Sequence, residues 1–481
     1  MIDYSRYMSA TVMLAILGWP LVSVMLFAML PPRRALFISY LAGWMFLPEV
    51  SFPVPGLPDY GKTMAATIGA AVGAFLFDFK AVSSFRPTWA DLPMAVWCVC
   101  PFASSYTNGL GVYDGVSAVF QTVVTWGLPY VLGRVYLRNL EAFRELAVML
   151  FIGGLIYAPL CIFEMRMSPV LNRYVYGFGF GRGGGEYASE LGVWGSRPRV
   201  FMGSGLALGT FMTAACIMGV WLWYTGALRR LYGYAVGPLC GGLVLVAFGC
   251  KNLGACALLV FGLAGLFSIR LIKRSWIIYA LILAAPAYMG FRATGKWSAD
   301  SMVKVASAIH PKRGQSLQGR LDNDSMLAEK ALQRPAFGWG GWGRSRIYDE
   351  NGKDICVTDG LWIITLGVTG LVGLTSLTTI LTLPAALLLR RYPARQWLDP
   401  RVAPVAAAAV LVVLYMIDNL FNSMFNPVYV MAAAGLISVA TARAAPAARV
   451  VMHPRTADLH TDPLDRALAA QSVLTTGVNR R

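Results

Sequence analysis

Charged residues are scarce in this chain. Only 14% of its 481 residues are Asp, Glu, Lys or Arg and 57% are hydrophobic, whereas soluble domains average about 25% charged and about 45–50% apolar residues. Histidine is rarer still, with three widely separated positions, His310, His453 and His460. The shortage of charge excludes an ordinary soluble domain, and the scattered histidines argue against a metal site. We therefore expect neither a metal nor a cofactor.

The sequence also lacks the alternating segments of about ten residues that are typical of a membrane β-barrel. Its apolar runs are mostly about 17–24 residues long, which is the length of helix that crosses the hydrocarbon core of a bilayer. Lipid offers the backbone no hydrogen-bond partners, so we predict an all-α, polytopic transmembrane bundle of about 12–13 spans over residues 1–444. The runs are about 8–30, 35–52, 64–79, 92–107, 113–133, 145–165, 203–224, 233–249, 253–269, 275–291, 360–389, 402–422 and 427–444.

Acidic residues are fewer than basic ones, 24 against 41, and the formal net charge is +17. The basic residues form short clusters at alternate loops, as the positive-inside rule requires, so the excess charge indicates topology and not a nucleic-acid partner. This pattern places the N-terminus outside and the C-terminus in the cytoplasm, with membrane lipids around the bundle. The polar residues 445–481 are predicted to form a disordered cytoplasmic tail.

Two long loops, at about 166–202 and 292–357, are predicted on the outer side. They carry arginines that the positive-inside rule disfavours there: Arg197, Arg199, Arg320 and Arg344. A guanidinium holds phosphate oxygens through a planar fork, so an anionic ligand would explain them. The alternative is that they meet lipid headgroups or pair with acids of the second loop, such as Asp322 and Asp324.

The second loop leads into a long apolar run. Its residues 322–333 have the start and stop signals of a short helix. Thr358 and Asp359 then precede the run at 360–389 and are good N-cap residues for it. That run is long for a single span, so it either tilts or breaks at Pro384. Asp359 therefore has two interpretations: it caps the helix, or it accepts a proton in catalysis.

Several stretches resemble one family of membrane enzymes, the O-antigen ligases and polymerases. The stretches are Arg197-Pro198-Arg199-Val200-Phe201-Met202 at a helix entry, the basic turn Lys251-Asn252, Arg320 followed by Gly338-x-Gly340, and Asp359-Gly360-Leu361-Trp362 followed by Gly370-Leu371-Val372-Gly373. The resemblance covers residues from about 146 to 437.

This resemblance implies a multi-pass glycosyltransferase of the bacterial inner membrane, acting on its extracytoplasmic side in surface or exopolysaccharide assembly. Such enzymes transfer a glycan from an undecaprenyl-diphosphate carrier to a hydroxyl of a glycan or lipid acceptor, sometimes beside other polysaccharide-assembly proteins. By position, the diphosphate would be bound by Arg197, Arg199, Arg320, Arg344 and Lys251.

The chain departs from the family at one catalytic position. Family ligases carry a histidine eleven residues before the first glycine of the Gly-x-x-Gly pair, and counting back from Gly370 gives Asp359. The resemblance thus implies Asp359 and Arg320 as catalytic residues. A carboxylate accepts a proton less readily than an imidazole unless its surroundings raise its pKa, and His310 is the alternative proton acceptor.

Two further functions fit the same composition. A transporter or flippase of lipid-linked glycans would place its substrate site near the middle of the membrane, in broken helices. A non-enzymatic membrane scaffold would need no histidine. The concentration of polar residues in two loops favours chemistry at the membrane surface, and the residues fit ligase and polymerase alike.

Overall fold

The computed structural model describes residues 9–54, 57–179, 195–272, 274–309, 311–341 and 343–442, which are predominantly helical. In the first part of the chain the helices are α1 (Ala10–Met29), α2 (Pro32–Phe46), α3 (Lys62–Phe77), α4 (Phe79–Ser83), α5 (Leu92–Thr107), α6 (Val112–Thr122), α7 (Leu128–Tyr136), α8 (Leu140–Met167) and α9 (Leu171–Tyr176). Then follow α10 (Gly205–Tyr224), α11 (Val236–Gly249), α12 (Leu253–Ile272), α13 (Trp276–Ala293), α14 (Asp300–Ile309), α15 (Pro311–Leu332), α16 (Leu361–Arg391), α17 (Ala403–Asp418) and α18 (Pro427–Thr441).

The prediction of an all-helical, multi-pass membrane protein is confirmed. Within the described ranges seven helices are long and apolar enough to cross a membrane, counting α6 and α7 as one through the π-helical turn Val123–Gly127. Four shorter apolar helices, α3, α11, α17 and α18, accompany them. Each of the thirteen predicted runs contains a helix, but the count of 12–13 spans stays a prediction.

The core lies around α10, α17 and α18. Nearly every side chain of α17 and α18 is buried, including the small residues that let these helices pack closely. The outer helix α1 instead leaves large apolar side chains exposed, with Leu14 at 76% and Leu21 at 59%. An exposed apolar face of this kind is suited to lipid, so α1 lies at the edge of the bundle.

Two short hairpins interrupt the helices. The linker after α2 contains the antiparallel pair β1 (Ser51–Val54) and β2 (Leu57–Gly61). A second pair, β3 (Arg230–Leu231) and β4 (Tyr234–Ala235), precedes α11. The turn at Lys251 and Asn252 is present as predicted, between α11 and α12.

Both predicted long loops contain helices. The first holds α9, and its residues 180–194 lie outside the described part of the chain. The second holds α14 and α15, so the helix predicted at 322–333 is the end of a helix that begins at Pro311. Arg320 therefore lies within a helix. The predicted tail at 445–481 lies outside the described residues.

The long helix α16 is broken at Gly370 and not at Pro384. Gly370 has φ 67° and ψ −162°, while the helix continues through Pro384. The segment 335–340 (the inserted segment) occupies the break. The N–H groups of Trp339 and Gly340 donate to the carbonyls of Gly367 and Val368, at 2.8 and 3.0 Å.

The helix α16 also donates backbone hydrogen bonds to the inserted segment. Leu371 and Val372 donate to the carbonyls of Pro335 and Ala336 at 2.7 and 3.2 Å. The Ser104 hydroxyl of α5 donates to carbonyls on both sides, those of Phe337 and Val368. A break in a membrane helix exposes backbone groups that lipid cannot satisfy, and here the protein itself supplies the partners.

Glycine is required where the two backbones meet. A Cβ on Gly370 would lie 2.5 Å from the Ala336 carbonyl oxygen and 2.6 Å from the Gly338 nitrogen. A Cβ on Gly338 would lie 2.6 Å from the Val368 carbonyl carbon. Both residues also have positive φ, which other residues rarely adopt. This close approach explains the first glycine of each motif, Gly338 and Gly370.

We predict that Gly370→Ala destabilises the fold by about 2 kcal/mol or more, because it adds backbone strain and a clash with the inserted segment. Thermal unfolding of the detergent-solubilised protein measures this. Gly290→Ala is the matched control, since a Cβ on Gly290 in α13 meets nothing within 4 Å. Equal unfolding temperatures for the two variants would contradict the assigned break.

Candidate functional site

The segment 419–426, which joins α17 to α18, is the point at which the two long loops meet the bundle. We call it the junction segment. The carbonyls of Asn419 and Asn422 each accept the N–H of Leu361 at 2.9 Å. Gly360 is the residue that precedes α16, and it packs against the backbone of the junction segment. The start of α16 is thus capped by backbone carbonyls, and the interpretation of Asp359 as its N-cap is wrong.

Asp359 pairs with Arg320 instead. Asp359 Oδ2 lies 3.2 Å from Arg320 Nε, and the side chains are 38% and 31% exposed. Arg320 also donates from an Nη to the carbonyl of Phe421, at 2.9 Å. The structure therefore brings together the two residues that the sequence analysis assigned to catalysis. Their pair lies on the junction segment, accessible from solvent.

Asp324 lies one helical turn beyond Arg320 on α15 and is only 5% exposed. Burial raises the pKa of Asp324 to about 7, against the opposing effects of Arg292, Trp362 and Arg320, while Asp359 raises it further. The sequence analysis treated Asp324 only as an ion-pair partner. Its four-residue spacing from Arg320 was the available signal, because residues i and i+4 share a helix face.

Arg292 ties α15 to the end of α13. It is 7% exposed and donates to the Leu321 carbonyl at 2.6 Å and to the Ser325 hydroxyl at 2.7 Å. The two acceptors, Leu321 and Ser325, lie before and after Asp324 in α15. The helix that carries both Arg320 and Asp324 is therefore held in place at the residues that matter for the site.

In the first loop, a buried carboxylate fixes the backbone around Arg199. Glu164 of α8 is fully buried and accepts the N–H groups of Leu171, Arg199 and Val200 at 3.0, 2.8 and 2.7 Å. Burial lowers the pKa of the Arg199 guanidinium, and the charge of Glu164 opposes this. Glu164 thus positions the loop.

Arg197 lies against the first turn of α10. A Cβ on Gly205 would lie 2.6 Å from Arg197 Nε, so the guanidinium stem packs on the helix backbone. Ser204 caps this helix, and its hydroxyl lies 3.5 Å from the sulfur of Met424 in the junction segment. The amine of Lys251 donates to the Gly195 carbonyl. Both loops therefore contact the junction segment.

Arg344 lies elsewhere among the predicted anion-binding residues. It donates to the Asn108 carbonyl at 3.4 Å, in the turn between α5 and α6. Arg334 donates to the side chain of the same asparagine. These contacts support the inserted segment, because the Asn108 amide also donates to Gly338 at 2.9 Å. Of the five predicted basic residues, Arg320 contacts the junction segment directly, Arg197 packs at the start of α10, and Arg344 contacts the α5–α6 turn.

Two buried polar residues lie where α17 meets the junction segment. Asp418 and Asn419 are 6% and 0% exposed. Asp418 accepts hydrogen bonds from Thr210 of α10 at 3.3 Å and from Asn422 at 2.8 Å. Through these two hydrogen bonds Asp418 connects α10 to the junction segment. His310, the alternative proton acceptor, lies outside the described residues.

No protein-family model matches the chain, and no curated protein is significantly similar to it in sequence.

We predict that Arg320→Ala and Asp359→Ala each change the stability of the fold by only about 0–1 kcal/mol, because an ion pair this exposed gains little from its charges. Thermal unfolding of the two single variants and the double variant measures the coupling. A coupling of several kcal/mol would show instead that the pair holds α15 to α16.

We predict that the fold becomes less stable as pH rises from about 4 to about 7, because the raised pKa of Asp324 keeps it protonated in the native state while the unfolded chain ionises. Asp324→Asn removes this loss, so at pH 8 the variant unfolds at a higher temperature than the unsubstituted protein. The corresponding gain in the free energy of unfolding is on the order of a few kcal/mol at most. Asp322→Asn, at an exposed position of the same helix, is the control. A pH profile unchanged by Asp324→Asn would contradict the assignment.

Proposed function

We propose that the protein is a membrane glycosyltransferase of the O-antigen ligase or polymerase type. It transfers a glycan from undecaprenyl diphosphate to an acceptor hydroxyl, on the extracytoplasmic face of the bacterial inner membrane. The observation that supports it most is the Arg320–Asp359 pair, which places a phosphate-binding group and a carboxylate 3.2 Å apart at a solvent-accessible point.

In this reaction the bond between the anomeric carbon and the diphosphate oxygen breaks, and a bond from that carbon to the acceptor oxygen forms. Negative charge develops on the leaving diphosphate, and preorganised guanidinium groups stabilise it. Arg320 holds a position for this role from α15, and Arg197, Arg199 and Lys251 add positive charge from the first loop and the α11–α12 turn. By the family resemblance the anomeric configuration inverts.

The proton of the acceptor hydroxyl needs a base. Asp359 is the residue at the family's histidine position, but its carboxylate is paired with Arg320. Diphosphate binding to Arg320 would weaken that pairing and free Asp359 for the hydroxyl. Asp324, with a pKa of about 7, lies one turn away and is matched to proton transfer near neutral pH. We assign hydroxyl positioning to Asp359 and proton storage to Asp324.

One observation favours a different function, a transporter of lipid-linked glycans. The break of α16 at Gly370 belongs to the class of discontinuous helices in which transporters bind their substrates. The break here is filled by the inserted segment, whose backbone satisfies the helix. Arg320 and its partner Asp359 lie instead beside the junction segment, which supports surface chemistry.

We predict that Arg320→Ala lowers glycan transfer at least a hundredfold without loss of folded protein, because it removes the charge that meets the leaving diphosphate. The assay uses protein in lipid nanodiscs, an undecaprenyl-diphosphate-linked oligosaccharide, and membranes from cells lacking the gene as the source of acceptor. It measures released undecaprenyl diphosphate and glycosylated acceptor.

Arg346→Ala is the matched control, since Arg346 pairs at 2.9 Å with Asp354 within its own loop and should keep nearly full transfer. Equal transfer by the two variants would contradict the assignment of Arg320 to the leaving diphosphate. Movement of lipid-linked glycan across vesicles without release of undecaprenyl diphosphate would replace the transferase with the transporter.

A further inference from the structure

A polar cavity of about 320 Å³ lies beside the first loop, between the β1–β2 hairpin and the middle of the α6–α7 helix. None of the residues assigned above to the reaction lines it. Its polar lining includes Glu49, Ser51, Asp59, Lys62, Gln121 and Thr125. A volume of this size, at the lower end of the range for small-molecule sites, accommodates one or two sugar rings.

The charges of the cavity leave it acidic. Lys62 is 7% exposed and forms an ion pair with Glu49, so these two charges balance. Asp59 adds a second carboxylate on β2, at an exposed position. The cavity therefore disfavours an anionic ligand such as a diphosphate or a uronic acid, and it offers carboxylate oxygens to donors such as hydroxyl or ammonium groups.

Gln121 lies in the cavity wall at a half-buried position. Its Oε1 atom is enclosed by protein atoms and has no hydrogen-bond partner among the residues that the structure describes. A ligand in the cavity would therefore meet the amide nitrogen of Gln121, which is a hydrogen-bond donor. Thr125, one turn further, has its hydroxyl bonded to the Gln121 backbone carbonyl at 2.7 Å.

The helix carrying Gln121 and Thr125 is irregular at this point. The π-helical turn Val123–Gly127 joins α6 to α7 immediately after Gln121. Such turns cost stability and occur frequently at functional sites, where they redirect side chains. The irregularity coincides with the two residues that this helix contributes to the cavity.

The cavity adjoins the candidate site. A Cβ on Gly203 would lie 3.1–3.2 Å from the side chain of Glu49, so the backbone of the first loop touches the cavity wall. Gly203 precedes Ser204, the cap of α10, on which Arg197 packs. Gly203, which meets Glu49 of the cavity, and Gly205, on which Arg197 packs, are thus only two positions apart in the chain.

We propose that this cavity binds a hydroxyl-rich sugar ring, uncharged or amino-bearing, through Asp59, Glu49 and Gln121. The inference rests on the proposed function, in which the substrates are a diphosphate-linked glycan and a glycan or lipid acceptor. The basic site takes the diphosphate, and the acidic cavity beside it takes a sugar of the acceptor or of the donor.

The binding test uses the full-length protein in nanodiscs and three disaccharide probes of similar size: neutral diacetylchitobiose, cationic chitobiose and anionic digalacturonate. Saturation-transfer NMR reports saturable binding. The neutral and cationic probes should bind and the anionic one should not. The double variant Asp59→Asn with Gln121→Leu should weaken binding roughly tenfold, since hydrogen bonds to a charged group and to the Gln121 amide are lost.

Asp114→Asn, at an exposed acid of α6 that does not line the cavity, should bind as the unsubstituted protein does. Absence of saturable binding by all three probes, preference for digalacturonate, or unchanged binding by the double variant would each overturn the proposal. The folded state of the double variant is checked by its unfolding temperature.

The transfer assay identifies the source of the sugar and separates the two proposals. A higher KM of the double variant for the acceptor assigns the ring to the acceptor, and a higher KM for the lipid-linked glycan assigns it to the donor. Failure of transfer by the unsubstituted protein, with probe binding that responds to the double variant, removes the transferase and leaves the sugar site. Active transfer with both KM values unchanged removes the sugar site alone.

Discussion

The constraint on which the site depends is the need of every backbone polar group in a membrane helix for a partner. The break at Gly370 leaves α16 without its own helical bonds, and four backbone bonds from the inserted segment replace them. The inserted segment follows α15 directly, so the same bonds anchor the end of the helix that carries Arg320. A deformation in the membrane part of the chain thus fixes the position of a side chain in the loop.

The anchoring of α15 explains how a weak ion pair has a defined geometry. The exposed pair of Arg320 and Asp359 contributes little to stability, and it does not need to, because Arg292 bonds α15 to α13 and the Phe421 carbonyl holds the guanidinium. An exposed guanidinium that is positioned by its surroundings is available to an anion. A ligand can therefore compete for Arg320 without loosening the fold.

The sequence predicted the helices well because a membrane helix is specified by a long apolar run, and each run contains a helix in the structure. The break of α16 was misplaced because proline at 384 is a familiar helix breaker, whereas Gly370 breaks only through contacts with residues some thirty positions earlier. The raised pKa of Asp324 was missed for a similar reason, since it comes from contacts with distant parts of the chain. Its pKa depends on burial beneath α13 and α16, which no local pattern encodes, whereas Arg320 and Asp359 were predicted from their motif positions.

The two carboxylates near Arg320 differ in environment, and this difference assigns them separate roles in the proposed reaction. Asp359 is partly exposed and ion-paired, so it is suited to contact a substrate hydroxyl once a diphosphate takes over the guanidinium. Asp324 is buried, and the charges of Arg292 and Arg320 only partly offset the cost of ionising it. A bound diphosphate would neutralise the positive charge of Arg320. The free energy needed to ionise Asp324 would then rise further, and Asp324 would be a better proton acceptor when the substrate is bound.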